Sequence, residues 1–251
     1  MNIKGISFYL GLFCFPIAFL AFVNILYSSY FDYFLSVDSY SITLVVSIII
    51  GIFFYFYGRK SNKKINFYEQ IVTIILVYFL SAFLISIPYY LSNYQIPFVN
   101  SLFEAFSGIT GTGFSIFGNI KFLDPTLILW RSSSQWIGGL YFLFSIILLM
   151  DIFDHSFKKS LTNFLSFNKS ETFKQVLKIF LFYSLITLSI FIILSFFDIR
   201  LFNSLNLAMT IISSGGFLPS NNLSNILINN SQVIITSILL LSSFFSIFLI
   251  Y

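Results

Sequence analysis

Residues 100–114, NSLFEAFSGITGTGF, resemble residues 203–217, NSLNLAMTIISSGGF, which lie 103 positions later in the chain. Asparagine, serine and glycine positions fall in register, which argues against a chance match between two apolar segments. Each copy belongs to a moderately apolar stretch, 98–109 or 201–212, that is too short to span a membrane. A helix of ten residues covers about 15 Å, or half of the hydrocarbon core. Such segments are tolerated at membrane depth where they are buried in protein or line a watery cavity. The repeat therefore predicts two re-entrant half-helices.

The composition around this repeat is that of a membrane protein. Of the 251 residues, 58% are hydrophobic and only 9% are charged, against about 25% charged in a soluble domain. A membrane helix needs about 20 apolar residues. Six stretches meet that need: 5–29, 39–58, 70–92, 126–150, 174–197 and 231–251. The sequence thus predicts an all-α polytopic membrane protein with six transmembrane helices and the two half-helices.

We expect three units along the chain: a two-helix unit over 1–66, a first helix–pore loop–helix repeat over 67–150, and a cytoplasmic connection with the second repeat over 151–251. Basic residues concentrate in two connections, Arg59, Lys60, Lys63 and Lys64 in one and Lys158, Lys159 and Lys169 in the other. The positive-inside rule places these connections and the N-terminus in the cytoplasm. The first apolar run lacks a signal-peptide cleavage pattern, so we expect it to be retained.

Each half-helix leads into a turn rich in glycine and hydroxyl residues. The turns are Thr110-Gly111-Thr112-Gly113 and Ser213-Ser214-Gly215-Gly216. A helix C-terminus carries the negative end of the helix dipole, and an extended backbone after it can coordinate an ion through carbonyl oxygens. The absence of acidic residues from both turns favours a monovalent over a divalent cation. The alternative is that these glycines only make tight turns.

Three segments resemble a known family. Residues 103–113, FEAFSGITGTG, are similar to the first pore loop of the TrkH family of potassium uptake proteins. Residues 130–139, WRSSSQWIGG, resemble its signature on the following helix, and residues 214–217, SGGF, resemble its second pore loop, which is usually Thr-Gly-Gly-Phe. The likeness runs over the whole chain.

The resemblance implies a potassium-conducting pore of four helix–pore loop–helix repeats, each giving one wall of the filter. Potassium is then the transported substrate, with no covalent cofactor and no enzymatic chemistry. By position, the filter residues are Thr110, Gly111, Thr112, Gly113, Ser213, Ser214, Gly215 and Gly216. Gly113 and Gly216 match the glycines that the family associates with potassium selectivity. The family commonly has Thr at the positions of Gly111 and Ser214, and these departures bear on discrimination against sodium.

Only two repeats are present, and two walls do not close a pore. The partner is then a separate polypeptide that supplies two more pore repeats, or a second copy of this chain, unless the chain is a piece of a longer protein. The resemblance also suggests a TrkA-like nucleotide-binding regulator on the cytoplasmic face and a bacterial inner membrane as the location. Membrane lipid is the remaining expected partner, and nothing in the sequence calls for nucleic acid.

Two charged residues fall at membrane depth beside the first turn. Arg131 lies about five residues into a spanning stretch, and Glu104 is on the neighbouring half-helix. A charge at such depth needs a partner or water, so we expect the two to pair behind the first turn and brace it. In the alternative, Arg131 extends outward to the interface and Glu104 lies in the vestibule.

Other residues have ordinary interpretations. Gly138 and Gly139 permit close helix contact or a bend, of which we expect the contact, and Cys14 is a small apolar filler. His155, beside Asp151 and Asp154, is expected to be solvated, because a single histidine without a geometric set of ligands rarely binds a metal.

Two rival functions come from other classes. A polytopic membrane enzyme needs convergent acids, histidines or metal ligands near an interface, and this sequence offers no such set. A non-conducting assembly or regulatory protein derived from a transporter half stays open, because a filter motif alone does not close a pore.

Overall fold

The computed structural model of the chain describes residues 2–33, 37–60, 65–149 and 172–244. Several predicted features lie outside these residues. They are Lys63, Lys64, the connection 151–171 with Asp151, Asp154, His155, Lys158, Lys159 and Lys169, and the C-terminal residues 245–251.

The described part of the chain contains eight α-helices and no strand. In chain order they are α1 (Ile3–Tyr30), α2 (Val37–Gly58), α3 (Phe67–Tyr90), α4 (Phe98–Ile109), α5 (Pro125–Leu149), α6 (Thr172–Phe196), α7 (Leu201–Ile212) and α8 (Asn230–Phe244). The two predicted short helices, 98–109 and 201–212, are confirmed as α4 and α7.

Four described helices are long and apolar enough to cross a membrane. They are α1, α2, α3 and the segment Leu177–Phe196 of α6. The predicted total of six spans is therefore not confirmed. Helix α5 has 25 residues, but its first half carries the polar run 131–135, RSSSQ, which is buried throughout. Many large apolar side chains of the four spans are exposed, as expected of a membrane protein whose helices face lipid.

Helix α3 begins earlier than predicted, at Phe67 instead of residue 70. The reason is a capping box, in which the Asn66 side chain caps the first turn and the backbone N–H of Asn66 donates to Glu69 Oε2 at 2.8 Å. Two donors that would otherwise be unsatisfied are thereby bonded, and the helix extends by one turn. Glu69 also accepts from the backbone N–H of Asn2 at 2.5 Å, which ties the start of α1 to the start of α3.

Helices α1 and α2 form a tightly packed pair. The buried residues of α2 are small, polar or both, except for Tyr40: Ser39, Tyr40, Thr43, Ser47, Gly51 and Gly58. An added Cβ on Gly11 would lie 2.5 Å from the backbone nitrogen of Tyr55. Close approach through small residues is the usual way in which membrane helices associate. Cys14 is buried against Gly51 in this contact, which confirms its interpretation as a small filler.

Helix α5 packs against five other helices, α1, α3, α4, α6 and α7. Three of its aromatic side chains bond to its neighbours. Trp130 Nε1 donates to the carbonyl of Ile85 at 3.1 Å, Trp136 Nε1 donates to Thr187 Oγ1 at 2.9 Å, and the Tyr141 hydroxyl donates to the carbonyl of Phe13. These bonds satisfy polar groups that lipid cannot satisfy. They fix α5 as the support on which both short helices rest.

Candidate functional site

The turns that follow α4 and α7 begin with the same backbone conformation. After α4, Gly111 N–H donates to the carbonyl of Gly108 at 3.0 Å and Thr112 N–H donates to that of Ser107 at 3.1 Å. Gly111 has a φ of +68°. This is a Schellman motif, the common end of a helix whose next residue is left-handed.

The same two helix-end hydrogen bonds are present after α7. Ser214 N–H donates to the carbonyl of Ile211 at 3.0 Å, and Gly215 N–H donates to that of Thr210 at 2.9 Å. Ser214 has a φ of +53°, which is unfavourable for a residue with a side chain. The repeat in the sequence is therefore also a repeat in the backbone geometry of the two helix ends.

The two turns lie against each other at their glycines. An added Cβ on Gly113 would lie 2.6 Å from the Cα of Gly216, and one on Gly216 would lie 3.2 Å from the Cα of Gly113. Gly113 also has a φ of +77°, so glycine is required there both by conformation and by space. An added Cβ on Gly111 would lie 3.5 Å from the carbonyl oxygen of Ser213.

The structure thus brings all eight predicted filter residues to two neighbouring turns. Thr110, Thr112, Ser214 and Gly216 are exposed, and Gly111, Gly113, Ser213 and Gly215 are half-buried. The hydroxyls of Thr110 and Ser213 donate to carbonyls of their own helices, Phe106 at 2.7 Å and Met209 at 2.9 Å. The turns therefore offer backbone and hydroxyl oxygens, and no charged side chain, to whatever they face.

One face of α5 supports both turns. Gly138 lies directly under the carbonyl of Ile109, the last residue of α4, where an added Cβ would collide with it. On Gly139 an added Cβ would lie 3.0 Å from the Cα of Ser213, just past the end of α7. The close helix contact predicted for these two glycines is confirmed. Each glycine seats the end of one short helix.

Glu104 of α4 and Arg131 of α5 form a buried ion pair. Arg131 Nε lies 2.8 Å from Glu104 Oε1, and the two side chains are 1% and 0% exposed. Glu104 also accepts hydrogen bonds from Ser115 Oγ at 3.0 Å and from the backbone N–H of Ile116 at 2.9 Å. Arg131 does not extend outward, so the alternative in which it reaches the interface does not hold.

The same guanidinium reaches the second repeat. Arg131 Nη1 donates to the carbonyl of Leu218 at 3.4 Å, and its Cζ lies 4.2 Å from the centre of the Phe217 ring. Its Nη2 donates to Ser115 Oγ at 3.0 Å. The pair therefore contacts the segments that leave both turns.

The structure adds residues that sequence reasoning missed. Gln135 lies one turn after Arg131 on the same face of α5 and bonds to the backbone of Phe217. Tyr183 of α6 donates its hydroxyl to the carbonyl of Trp136 at 3.1 Å and lies against Gly139. The sequence could have indicated Gln135, because it lies four residues after Arg131 and therefore on the same face of the helix. For Tyr183 the sequence carried no local signal.

Comparisons with known proteins are consistent with this geometry. No protein-family model matches the chain. The chain is 28% identical over 194 residues to an uncharacterised cation transporter of Methanocaldococcus jannaschii, which covers 71% of this chain and 39% of that protein. It is 28% identical over 100 residues to the Trk system potassium uptake protein TrkG of Escherichia coli, covering 39% of this chain and 21% of TrkG. The chain is similar to Trk potassium uptake proteins.

The fold supports the same relationship. The crystal structure of the potassium transporter TrkH from Vibrio parahaemolyticus matches with a TM-score of 0.71 at 16% identity, and the match covers 95% of this chain and 49% of that one. The predicted resemblance to TrkH is therefore confirmed. The TrkH-like chain spans less than half the length of the curated relatives named above and about half of the TrkH structure.

Proposed function

We propose that this chain supplies two of the four walls of a TrkH-like potassium pore and mediates potassium uptake across a bacterial inner membrane. The observation that carries the proposal is the contact of two equivalent helix-end turns at Gly113 and Gly216. The named relatives support it, since they are cation or potassium transporters. In the proposed orientation the N-terminus is cytoplasmic, and α4 and α7 enter the membrane from outside.

The chemistry of the turns suits a monovalent cation. The C-termini of α4 and α7 direct the negative ends of two helix dipoles to one place. Carbonyl and hydroxyl oxygens there can replace the water around a potassium ion without holding it too strongly to leave. We assign this role to Thr110, Gly111, Thr112 and Gly113 in the first wall, and to Ser213, Ser214, Gly215 and Gly216 in the second.

We assign to Glu104 and Arg131 the role of a brace behind the filter. Their charges are paired and buried, so the pair does not face the ion directly. Each partner holds a segment that leaves a turn: Glu104 binds Ser115 and Ile116, and Arg131 binds Leu218. Because these segments are held rigidly, the oxygen atoms of the turns keep a fixed spacing, as coordination of an ion of one size requires.

The remaining walls belong to a partner in this proposal. A separate polypeptide or further chain segment with two more pore repeats is the favoured partner, and a second copy of this chain is the alternative. The exposure of Thr110 and Thr112 in the first turn, and of Phe114 just after it, supports an additional wall at that place. A TrkA-like regulator at the basic cytoplasmic connections is part of the same proposal.

The test is growth of a potassium-uptake-deficient bacterial strain at limiting potassium. The strain expresses this chain alone, or a chimera in which the chain replaces the matching segment of Escherichia coli TrkH. We expect the chimera to restore growth. The double variant Gly113→Ser, Gly216→Ser should abolish that rescue, because each added side chain meets the opposite turn. Gly118→Ser is the matched control, since nothing lies within 4 Å of a Cβ at Gly118.

The outcomes separate the functions that the sequence left open. Rescue by the chain alone would mean that copies of this chain close the pore. Rescue by the chimera only would mean that other repeats complete it. A chimera that is inserted stably but never rescues would contradict the proposal and favour a non-conducting assembly protein.

A further inference from the structure

Gln135 links the first repeat to the second turn. Its side chain is 0% exposed, and it projects from α5, which belongs to the first repeat. Gln135 Oε1 accepts a hydrogen bond of 3.1 Å from the backbone N–H of Phe217, the residue that follows Gly216. A buried bond between a side chain of one repeat and the backbone of the next fixes the distance between the two.

Gly215 makes room for this side chain. An added Cβ on Gly215 would lie 2.8 Å from Gln135 Nε2 and closer still to the other end of the carboxamide. Among the described residues Nε2 has no hydrogen-bond partner. The carboxamide is therefore held by the Phe217 bond and by its packing under Gly215.

The two turns are held by different devices. Phe217 is 1% exposed, and its carbonyl accepts a bond of 3.0 Å from Thr210 Oγ1 in addition to the Gln135 bond at its N–H. Phe114 is the equivalent residue of the first repeat, and it is 68% exposed. No hydrogen bond to its backbone is present within the described part of the chain. The first turn is held through Glu104 of its own helix, whereas the second is held by Thr210 of its own helix and also across the repeat boundary by Gln135.

We propose that Gln135 is a positioning residue that sets the second turn against the first and thereby tunes cation selectivity. The positioning rests on the geometry alone, and the effect on selectivity rests on the proposed function. A lost Gln135 bond frees the backbone after Gly216 to shift. The oxygen spacing between the two walls then varies, and discrimination between potassium and sodium, which depends on that spacing, weakens.

The experiment measures hydrogen exchange at single amides on the full chain in lipid nanodiscs. Gln135→Leu removes the acceptor at nearly constant size, and Gln135→Glu keeps an acceptor oxygen. Gln70→Leu is the matched control, because Gln70 is also a buried glutamine with one bond through its amide, far along the chain from either turn. In Gln135→Leu we expect the Phe217 amide to exchange about 5-fold to 10-fold faster. We expect the Phe217 amide in Gln135→Glu and Gln70→Leu to stay near the wild-type rate.

A second measurement tests the selectivity. In the conducting form found by the growth test, Gln135→Leu should lower the ratio of potassium to sodium uptake, and Gln70→Leu should leave it unchanged. An unchanged Phe217 amide in Gln135→Leu overturns the positioning role, whatever the uptake result. A faster amide with an unchanged uptake ratio overturns the role in selectivity. A faster amide in a protein that conducts nothing keeps the positioning role and refutes the proposed function.

Discussion

Breaking the Glu104–Arg131 pair should destabilise the protein strongly. Arg131→Met removes the guanidinium and leaves the Glu104 carboxylate fully buried, with Ser115 Oγ at 3.0 Å and the N–H of Ile116 at 2.9 Å as its remaining donors. Removal of one partner from a buried ion pair typically lowers the free energy of unfolding by 3–5 kcal/mol. Because two donors remain, we expect the low end of that range, about 3 kcal/mol.

The reciprocal change should act in the same direction and less strongly. Glu104→Gln removes the negative charge but keeps an oxygen that can accept from Arg131, so we expect a loss of about 2 kcal/mol. In the double variant no unpaired charge remains. Its loss should therefore fall short of the sum of the single losses by about 2 kcal/mol, as interacting residues do in a double-mutant cycle.

The assay is reversible unfolding of the purified protein in mixed micelles, followed by tryptophan fluorescence. Both tryptophans of the chain, Trp130 and Trp136, lie on α5 and report on the helix that carries Arg131. Lys121→Met is the control, because Lys121 is an exposed cation in the connection between α4 and α5. An unfolding free energy for Arg131→Met that equals that of Lys121→Met, or single losses that simply add in the double variant, would refute the reasoning.

Three further predictions use glycine geometry. Gly113→Ala should abolish potassium uptake, while Gly118→Ala should retain it in the same assay, because only the first adds a Cβ that meets the opposite turn. Ser214→Gly should raise the unfolding free energy by about 1 kcal/mol, the low end of the cost of a left-handed residue with a side chain, because Ser214 has a φ of +53° and its loss also removes a 3.3 Å hydrogen bond to Ser243; a decrease would contradict this. Gly11→Ala should separate α1 from α2 and lower the unfolding free energy by about 1–3 kcal/mol, with the potassium-to-sodium uptake ratio unchanged; an altered ratio would tie this helix pair to the filter.

The short helices could be predicted from the sequence because their signal is local. Polar and glycine positions repeat in register, and each segment is too short to span, so α4 and α7 were bounded correctly at 98–109 and 201–212. The assignment to membrane proteins followed from the composition, because 58% of the residues are hydrophobic and only 9% are charged. The start of α3 was missed by one turn, because hydropathy does not register a capping box such as that of Asn66 and Glu69.

The support beneath the turns could be predicted only in part. Charge at membrane depth singled out Arg131, because such a residue needs a partner. Gln135 is marked only by its i+4 spacing from Arg131, because its role depends on a side chain of one repeat reaching the backbone of the next. The six-span count is not confirmed at two places. Helix α5 carries the buried polar run 131–135, and the predicted span 231–251 is described only as far as residue 244.

The most direct test of the central claim is the initial rate of potassium uptake into potassium-depleted cells that express the TrkH chimera, measured with and without competing sodium. The account predicts uptake that favours potassium, that Gly118→Ser preserves, and that Gly113→Ser with Gly216→Ser eliminates although the protein is still inserted in the membrane. Equal uptake by the double glycine variant and the unaltered chimera would contradict it, because the contact between the two turns would then have no part in conduction.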